Sequence, residues 1–240
     1  MKSVILPSEN KINAYYFDSL VSTNTYVLEN AEKMRDLDVV ITLNQTGGRG
    51  RYDRVFISEN QSLCMSLLLK QPPNSLFPIH AGLAVYQALT SLFPAQFTLK
   101  WPNDVLINGK KICGILCESR FSENPFTVIG IGVNLYQNKD FFNKQNFSAS
   151  SIFTETGENC DFLLVAAKIL DALIDSIRNF ESNPENLIKD YSNVCITLEK
   201  SVNIIKNGKN QEGFAISINN DGSLKTSFSG VIEDVYSEIF

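Results

Sequence analysis

Two stretches of the sequence concentrate the residue types that bind phosphorylated ligands. Residues 46–54, TGGRGRYDR, contain three glycines and three arginines. Glycine allows a backbone to approach a phosphate closely, and arginine holds an oxyanion through paired N–H donors. Residues 99–118 carry Lys100, Asp104 and Lys111 near an Asn-Gly dipeptide. Together the two stretches predict a site for an anionic nucleotide.

The second stretch is predicted to form a hairpin of short strands. Asn108-Gly109 lies between two apolar runs, which is a strong short-range hairpin signal. In the strand that follows, successive side chains alternate between faces, so Lys110 and Lys111 point in opposite directions and only one of them can be a ligand. Gly114 on the same strand permits close approach of a ligand or of another backbone.

The glycine and arginine stretch follows a predicted buried strand at residues 38–44 and begins after Gln45. It matches neither a Walker A motif, because no Gly-Lys-Ser/Thr follows, nor GxGxxG, because no helix obviously begins there. By itself it is equally compatible with a flexible surface loop. The alternation of Arg49 and Arg51 favours a binding loop, because an extended backbone would place both guanidinium groups on one side.

The remaining pattern predicts an α+β protein with a mixed sheet covered by helices. Residues 62–70 and 126–135 are predicted strands, and residues 136–159 are predicted to be a loop with a short turn. Beyond Asn193, short β-like runs separated by turn dipeptides at 207–208 and 221–222 predict a small antiparallel barrel. Apolar periodicity predicts helices at 25–34, 78–93, 161–180 and 185–191.

Composition narrows the function classes. The chain has 240 residues, 44% of them apolar, with no apolar run of membrane-spanning length and no secretory signal at its start, so a cytoplasmic location is expected. The five cysteines form no CxxC pair, and the net charge of −5 argues against broad nucleic-acid binding. The one histidine, His80, is predicted in or near the first turn of a helix, and no partner cysteine, serine or carboxylate motif accompanies it, which argues against a histidine-dependent hydrolase.

The motifs resemble those of biotin protein ligases over nearly the whole chain. The matching segments are STN at 22–24, QTGGRGR at 45–51, KWPND at 100–104, GKKICGIL at 109–116 and GIGVNL at 130–135. The resemblance implies a catalytic domain at 1–192, with a mixed sheet like that of class II aminoacyl-tRNA synthetases. It also implies an SH3-like barrel at 193–240.

The implied reaction is the ATP-dependent activation of biotin to biotinyl-5′-AMP, with Mg²⁺, followed by transfer to a lysine of a biotin carboxyl carrier protein. The expected partners are biotin, ATP and that carrier, with no nucleic acid and no membrane, in a monomer or weak homodimer. Some relatives carry an N-terminal helix-turn-helix domain, but this chain starts about twenty residues before Ser22, so no repressor function is expected.

The resemblance also assigns roles to residues that match its motifs. The residues implied in catalysis are Lys111, Arg49, Arg51 and Asp104, with Asp104 also on the Mg²⁺ side. The residues implied in biotin binding are Ser22, Thr23, Asn24, Gln45, Arg49, Gly50, Arg51, Lys111 and Gly114. The residues implied in nucleotide binding are Arg51, Arg54, Phe56, Lys100, Asn103 and Asn134. From composition alone, the plainer interpretation of Ser22 and Thr23 is helix capping, but a helix N-terminus also offers free amides to a polar ligand, and both interpretations can hold.

Two departures affect the adenine side. The family usually continues the loop with glycine, arginine and then tryptophan, whereas this chain has Tyr52 to Phe56, and Phe56 keeps an aromatic face without an indole. Ser62 stands near the position where asparagine is expected. Two alternatives stay open: a lipoate or octanoate ligase or transferase of similar fold, and a catalytically idle binding module.

Overall fold

An eight-stranded mixed sheet carries the site. The computed structural model describes residues 1–10, 12–145, 148–180, 184–206 and 209–236. The strands of the sheet run in the spatial order β1-β2-β3-β6-β10-β9-β8-β7, and β2 and β3 form its parallel pair. Their bounds, with those of a two-residue hairpin β4–β5, are β1 Lys2–Val4, β2 Ala14–Phe17, β3 Val39–Thr42, β4 Gly48–Arg49, β5 Val55–Phe56, β6 Ser62–Leu69, β7 Phe97–Lys100, β8 Asp104–Ile107, β9 Lys110–Arg120 and β10 Phe126–Asn134.

Six α-helices accompany the strands in the described ranges. Ala31–Lys33 and Arg51–Asp53 are short 3₁₀ helices. The α-helices are α1 Thr23–Asn30, α2 Phe77–Leu92, α3 Lys139–Gln145, α4 Ile152–Thr156, α5 Phe162–Asn179 and α6 Pro184–Asn193.

The two faces of the sheet are covered differently. On one face, α2 and α5 pack against each other and complete the large core, to which β6 contributes Leu63, Met65 and Leu67. On the other face, α1 forms a smaller cluster around Val27 and Leu68. Burial of apolar area stabilises both faces. The smaller cluster leaves room beside α1, and the cavity described below opens there.

The C-terminal strands form a separate antiparallel sheet in the order β11-β12-β13-β14, as predicted for the SH3-like unit. The turn at Asp221-Gly222 is confirmed, with Gly222 at φ +83°, a conformation that favours glycine. The predicted turn at 207–208 lies outside the described residues. The strand bounds are β11 Lys200–Lys206, β12 Lys209–Ile218, β13 Leu224–Phe228 and β14 Val231–Val235.

The prediction of a loop over residues 136–159 was wrong in its described part, because α3 and α4 lie there. The Ser151 hydroxyl caps α4 by accepting from the Thr154 amide, and Gly157 ends it in the left-handed conformation. A helix of five to seven residues is too short to show an apolar period. The N-terminal strands β1 and β2 were also not predicted as separate elements.

No helix in the described ranges is long and apolar enough to cross a membrane. All five cysteines are free thiols. Cys64, Cys113 and Cys195 are buried as predicted, whereas Cys117 and Cys160 are only partly buried. Burial raises the pKa of Cys64 to about 12, so this thiol stays protonated and unreactive.

Candidate active site

A cavity of about 390 Å³ lies between α1, the glycine and arginine loop, and the ends of β8, β9 and β10. Every residue that the motifs nominated contributes to its wall. They are Ser22, Thr23, Asn24, Gln45, Arg49, Gly50, Arg51, Arg54, Phe56, Lys100, Asn103, Asp104, Lys111, Gly114 and Asn134. The structure therefore brings the nominated residues together, while the role of each one stays a prediction.

The N-terminus of α1 forms a polar end of the cavity. Ser22 caps the helix, since its hydroxyl accepts from the Thr25 amide at 3.4 Å. Gln45 Oε1 accepts from the Thr23 amide at 2.7 Å and from the Thr23 hydroxyl at 3.1 Å. The Thr23 hydroxyl oxygen also lies 2.7 Å from the Ser66 hydroxyl oxygen. Capping and cavity lining are thus both present, and amide and hydroxyl groups suit an uncharged polar ligand.

The glycine and arginine loop is a short β-hairpin whose strands β4 and β5 are joined by the 3₁₀ turn Arg51–Asp53, not an extended segment. Gly48 is required in the hairpin, because a Cβ there would lie 2.3 Å from the Phe56 carbonyl oxygen. The Arg49 guanidinium contacts Glu118 at 3.0 Å, and Arg51 donates to Asn103 Oδ1 at 3.4 Å. Both arginines line the cavity, but the 3₁₀ turn and not strand alternation places the second one.

The β8–β9 hairpin provides the central charge pair. Lys111 Nζ lies 2.7 Å from Asp104 Oδ1, a buried oxygen that has no hydrogen-bond partner beyond this ion pair among the described residues. A register irregularity after Val105 lets both side chains reach the cavity from neighbouring strands. The close pair places a cation where an anionic ligand would meet β9.

Lys110 and Lys111 point in opposite directions, as predicted, and only Lys111 lines the cavity. Lys110 points away from the cavity and contacts Glu155 at 2.8 Å. Burial alone would raise the pKa of Glu155, but hydrogen bonds from Lys110, Ser150 and Asn108 lower that pKa to about 2. Glu155 therefore stays ionised at neutral pH and holds Lys110 outside the site.

The opposite end of the cavity is aromatic and amide-rich. The Phe56 ring packs on Gly132, where a Cβ would lie 2.8 Å from the ring. Asn134 accepts from Ser62 at 3.2 Å and donates to the Ser150 carbonyl at 3.0 Å. These bonds hold the amide within the wall, so Asn134 shapes this end of the cavity.

Sequence reasoning did not nominate four aromatic residues of the cavity wall, which are Phe141 and Phe142 on α3, and Tyr52 and Trp101. The only sequence signal for Phe141 and Phe142 was the aromatic content of a segment predicted to be a loop. Lys100, which was nominated, has an ammonium group without an ion pair or hydrogen bond in the described part of the chain, so it is free to meet an anion.

The donor set fits a Mg²⁺ ion held mainly by phosphates. Asp104 is the one carboxylate among the described residues of the cavity wall, and those residues include no cluster of three or more metal-ligating side chains. Mg²⁺ commonly binds through one or two carboxylates together with substrate phosphates and water. Asp104 Oδ1, whose contact in the described part of the chain is the Lys111 ammonium, matches that requirement.

The fold and cavity define a class of protein in which one face of a mixed sheet carries a polar pocket beside a group of cationic side chains. Comparison with known proteins makes this specific. Residues 16–134 match the model of the biotin/lipoate A/B protein ligase family. The biotin--[acetyl-CoA-carboxylase] ligase of Mycobacterium tuberculosis is 30% identical over 87% of this chain and 81% of its own length. The chain belongs to the biotin/lipoate A/B protein ligase family.

A curated relative and a solved structure are also similar to the chain. The bifunctional ligase/repressor BirA of Bacillus spizizenii is 31% identical over 83% of the chain, and the match spans 64% of that relative's length. The structure of a biotin protein ligase from Aquifex aeolicus in complex with biotin and ATP has a TM-score of 0.82 at 23% identity. It aligns over 95% of this chain and 97% of that one, which confirms the predicted fold.

Proposed function

We propose that this protein is a biotin protein ligase, which activates biotin with ATP and transfers it to a lysine of a biotin carboxyl carrier protein. The observation that carries the proposal is the Lys111–Asp104 pair, placed with Arg49 and Arg51 in one cavity whose other wall is the polar end of α1. Relatives named biotin--[acetyl-CoA-carboxylase] ligase support the choice of acid.

The first step forms a bond between a biotin carboxylate oxygen and the α-phosphorus of ATP, and the bond to pyrophosphate breaks. A carboxylate is already ionised at neutral pH, so this attack needs no enzyme base. The chain's contribution is therefore positioning, together with cations that stabilise the charge developing on phosphate. In the second step a carrier lysine attacks the acyl carbon, and AMP leaves.

The proposed roles follow the two ends of the cavity. Thr23 and Gln45 lie at the end proposed for the biotin ureido group, with Ser22, Asn24, Gly50 and Gly114 in the same wall. Lys111, Arg49 and Arg51 are proposed to hold the carboxylate and α-phosphate. The nucleotide side would use Arg54, Phe56, Lys100, Asn103 and Asn134. Mg²⁺ at Asp104 would neutralise phosphate charge.

Several further properties belong to the same proposal. We propose a catalytic domain at 1–192 and a barrel at 193–240, in a monomer or weak homodimer. The five free cysteines support a reducing, cytoplasmic location. The net charge of −5 supports the absence of a repressor function and of nucleic-acid or membrane partners.

The test is ATP–pyrophosphate exchange by the purified protein with Mg²⁺, comparing biotin, lipoate and octanoate as the acid. We expect exchange that depends on biotin, and transfer of labelled biotin when a carrier domain is added. Exchange with lipoate or octanoate in place of biotin would assign the protein to the sister enzymes. A folded protein that is silent with all three acids would contradict the ligase proposal and favour a binding module.

A further inference from the structure

The Arg49 guanidinium is held by a carboxylate that does not line the cavity. Glu118 lies on β9, and both of its oxygens accept from Arg49 Nη2, at 3.0 and 3.2 Å. The same nitrogen donates to the Thr25 hydroxyl at 3.4 Å. Glu118 therefore fixes one corner of the guanidinium from behind the cavity wall.

Glu118 is itself fixed from the other side by Asn24. Asn24 Nδ2 donates to Glu118 Oε2 at 2.8 Å and to the Leu116 carbonyl at 3.1 Å. Asn24 Oδ1 accepts from the buried Ser66 hydroxyl at 2.6 Å. Each polar atom of the Asn24 amide thus has a partner, so the chain of contacts from β6 to the loop is continuous.

The glycine at position 130 makes this arrangement possible. A Cβ there would lie 2.1 Å from Asn24 Oδ1, closer than non-bonded atoms approach. The position must therefore lack a side chain if Asn24 is to hold Glu118. This contact accounts for the first glycine of the GIG segment on β10.

The contacts leave the remaining donors of Arg49 available to a ligand. Within the described ranges, Nε and Nη1 of Arg49 make no hydrogen bond, and the side chain lines the cavity while 47% of it is exposed. A long, half-exposed side chain loses rotamer freedom when it binds an anion. A residue that orders it beforehand reduces that loss.

We propose that Glu118 is a positioning residue that orders Arg49 for the acid and phosphate groups of the reaction. The inference rests on the proposed ligase function, because Arg49 has its role there. Glu118 would act through Arg49 and not through contact with substrate.

The test is a double-mutant cycle measured by biotin-dependent pyrophosphate exchange. Glu118→Gln keeps an oxygen for Asn24 but removes the charge that holds Arg49. We expect it to lower kcat/KM for biotin by about tenfold in the otherwise unchanged protein, and to have no further effect in the Arg49→Ala background. Glu123→Gln, at an exposed position beyond β9, is the matched control and should leave kcat/KM unchanged.

A readout independent of activity accompanies the cycle. Without ligands, trypsin should cleave after Arg49 faster in Glu118→Gln than in the wild type or in Glu123→Gln. Equal cleavage rates would overturn the inference, and so would a Glu118→Gln effect that persists in full without Arg49. If the wild type supports pyrophosphate exchange with none of the three acids, that result contradicts the ligase proposal. The cleavage rates still decide whether Glu118 orders Arg49.

Discussion

At the scale of single residues, the two adjacent lysines of β9 provide a matched comparison. Lys111 faces Asp104 in the cavity, whereas Lys110 faces Glu155 outside it. Lys111→Ala should lower the kcat of biotin-dependent exchange by about a hundredfold or more, the effect typical of removing a donor to a developing oxyanion. Lys110→Ala should leave kcat within about twofold, as expected for a surface pair. Similar losses in the two variants would contradict the assignment.

The nominated residues were predictable because their chemistry restricts which residue types can serve. Phosphate binding requires cationic donors, and it requires glycine where the backbone must come close to the ligand. The arginines, lysines and glycines nominated on that basis all line one cavity. Glu118 and Phe141 were not predicted because their roles depend on contacts between distant elements. The role of the Glu118 carboxylate on β9 is evident only when the fold brings Arg49 of the glycine and arginine loop against it.

At the scale of elements, the longer helices were predictable from apolar periodicity and the buried strands from apolar runs, and their bounds agree within about four residues. The elements that were not predicted are short. The helices α3 and α4 and the 3₁₀ turn at Arg51–Asp53 are set by caps and tertiary contacts, and they contain too few residues for a period. The structure around Arg51 was therefore the least predictable part of the loop.

The packing of α2 against α5 should make the free energy of unfolding depend on pH. His80 is buried between these helices, with its Nδ1 hydrogen-bonded to Ser176 at 2.8 Å, and burial lowers its pKa from 6.5 to about 4. As the pH falls below 6.5, His80 becomes protonated in the unfolded chain but stays neutral in the folded chain until the pH approaches 4. The free energy of unfolding should therefore fall, by at most about 1.4 kcal/mol for each pH unit.

Urea titrations at pH 7.0, 6.0 and 5.0 would measure this fall. His80 is the chain's only histidine, and no other side chain ordinarily titrates in that window. His80→Asn removes the titration and places an oxygen near the Nδ1 position. Its unfolding free energy should change less between pH 7 and pH 5. The same slope in both proteins would show that His80 accepts its proton in the folded state as well.

At the scale of the whole molecule, one side chain connects the nucleotide side of the cavity to the C-terminal sheet. Trp101 is buried, its indole donates to the Gly222 carbonyl at 2.9 Å, and its amide donates to the Thr197 hydroxyl at 2.9 Å. Lys100 and Asn103 lie on either side of it in the same segment. The C-terminal sheet is thus attached to the backbone that presents those two residues.

Trp101→Phe should affect the nucleotide end of the cavity more than the biotin end. The substitution keeps an aromatic ring but leaves the Gly222 carbonyl without its donor, at a cost of about 1–3 kcal/mol in stability. The segment around Lys100 should loosen, so KM for ATP should rise by about fivefold or more, while KM for biotin should change little because Thr23 and Gln45 lie on other elements. Ile174→Val, a substitution in the core of α5, provides a control with a comparable stability loss of about 1 kcal/mol. Equal increases in both KM values, or the same ATP effect in Ile174→Val, would mean that the C-terminal sheet supports the fold without ordering the nucleotide side.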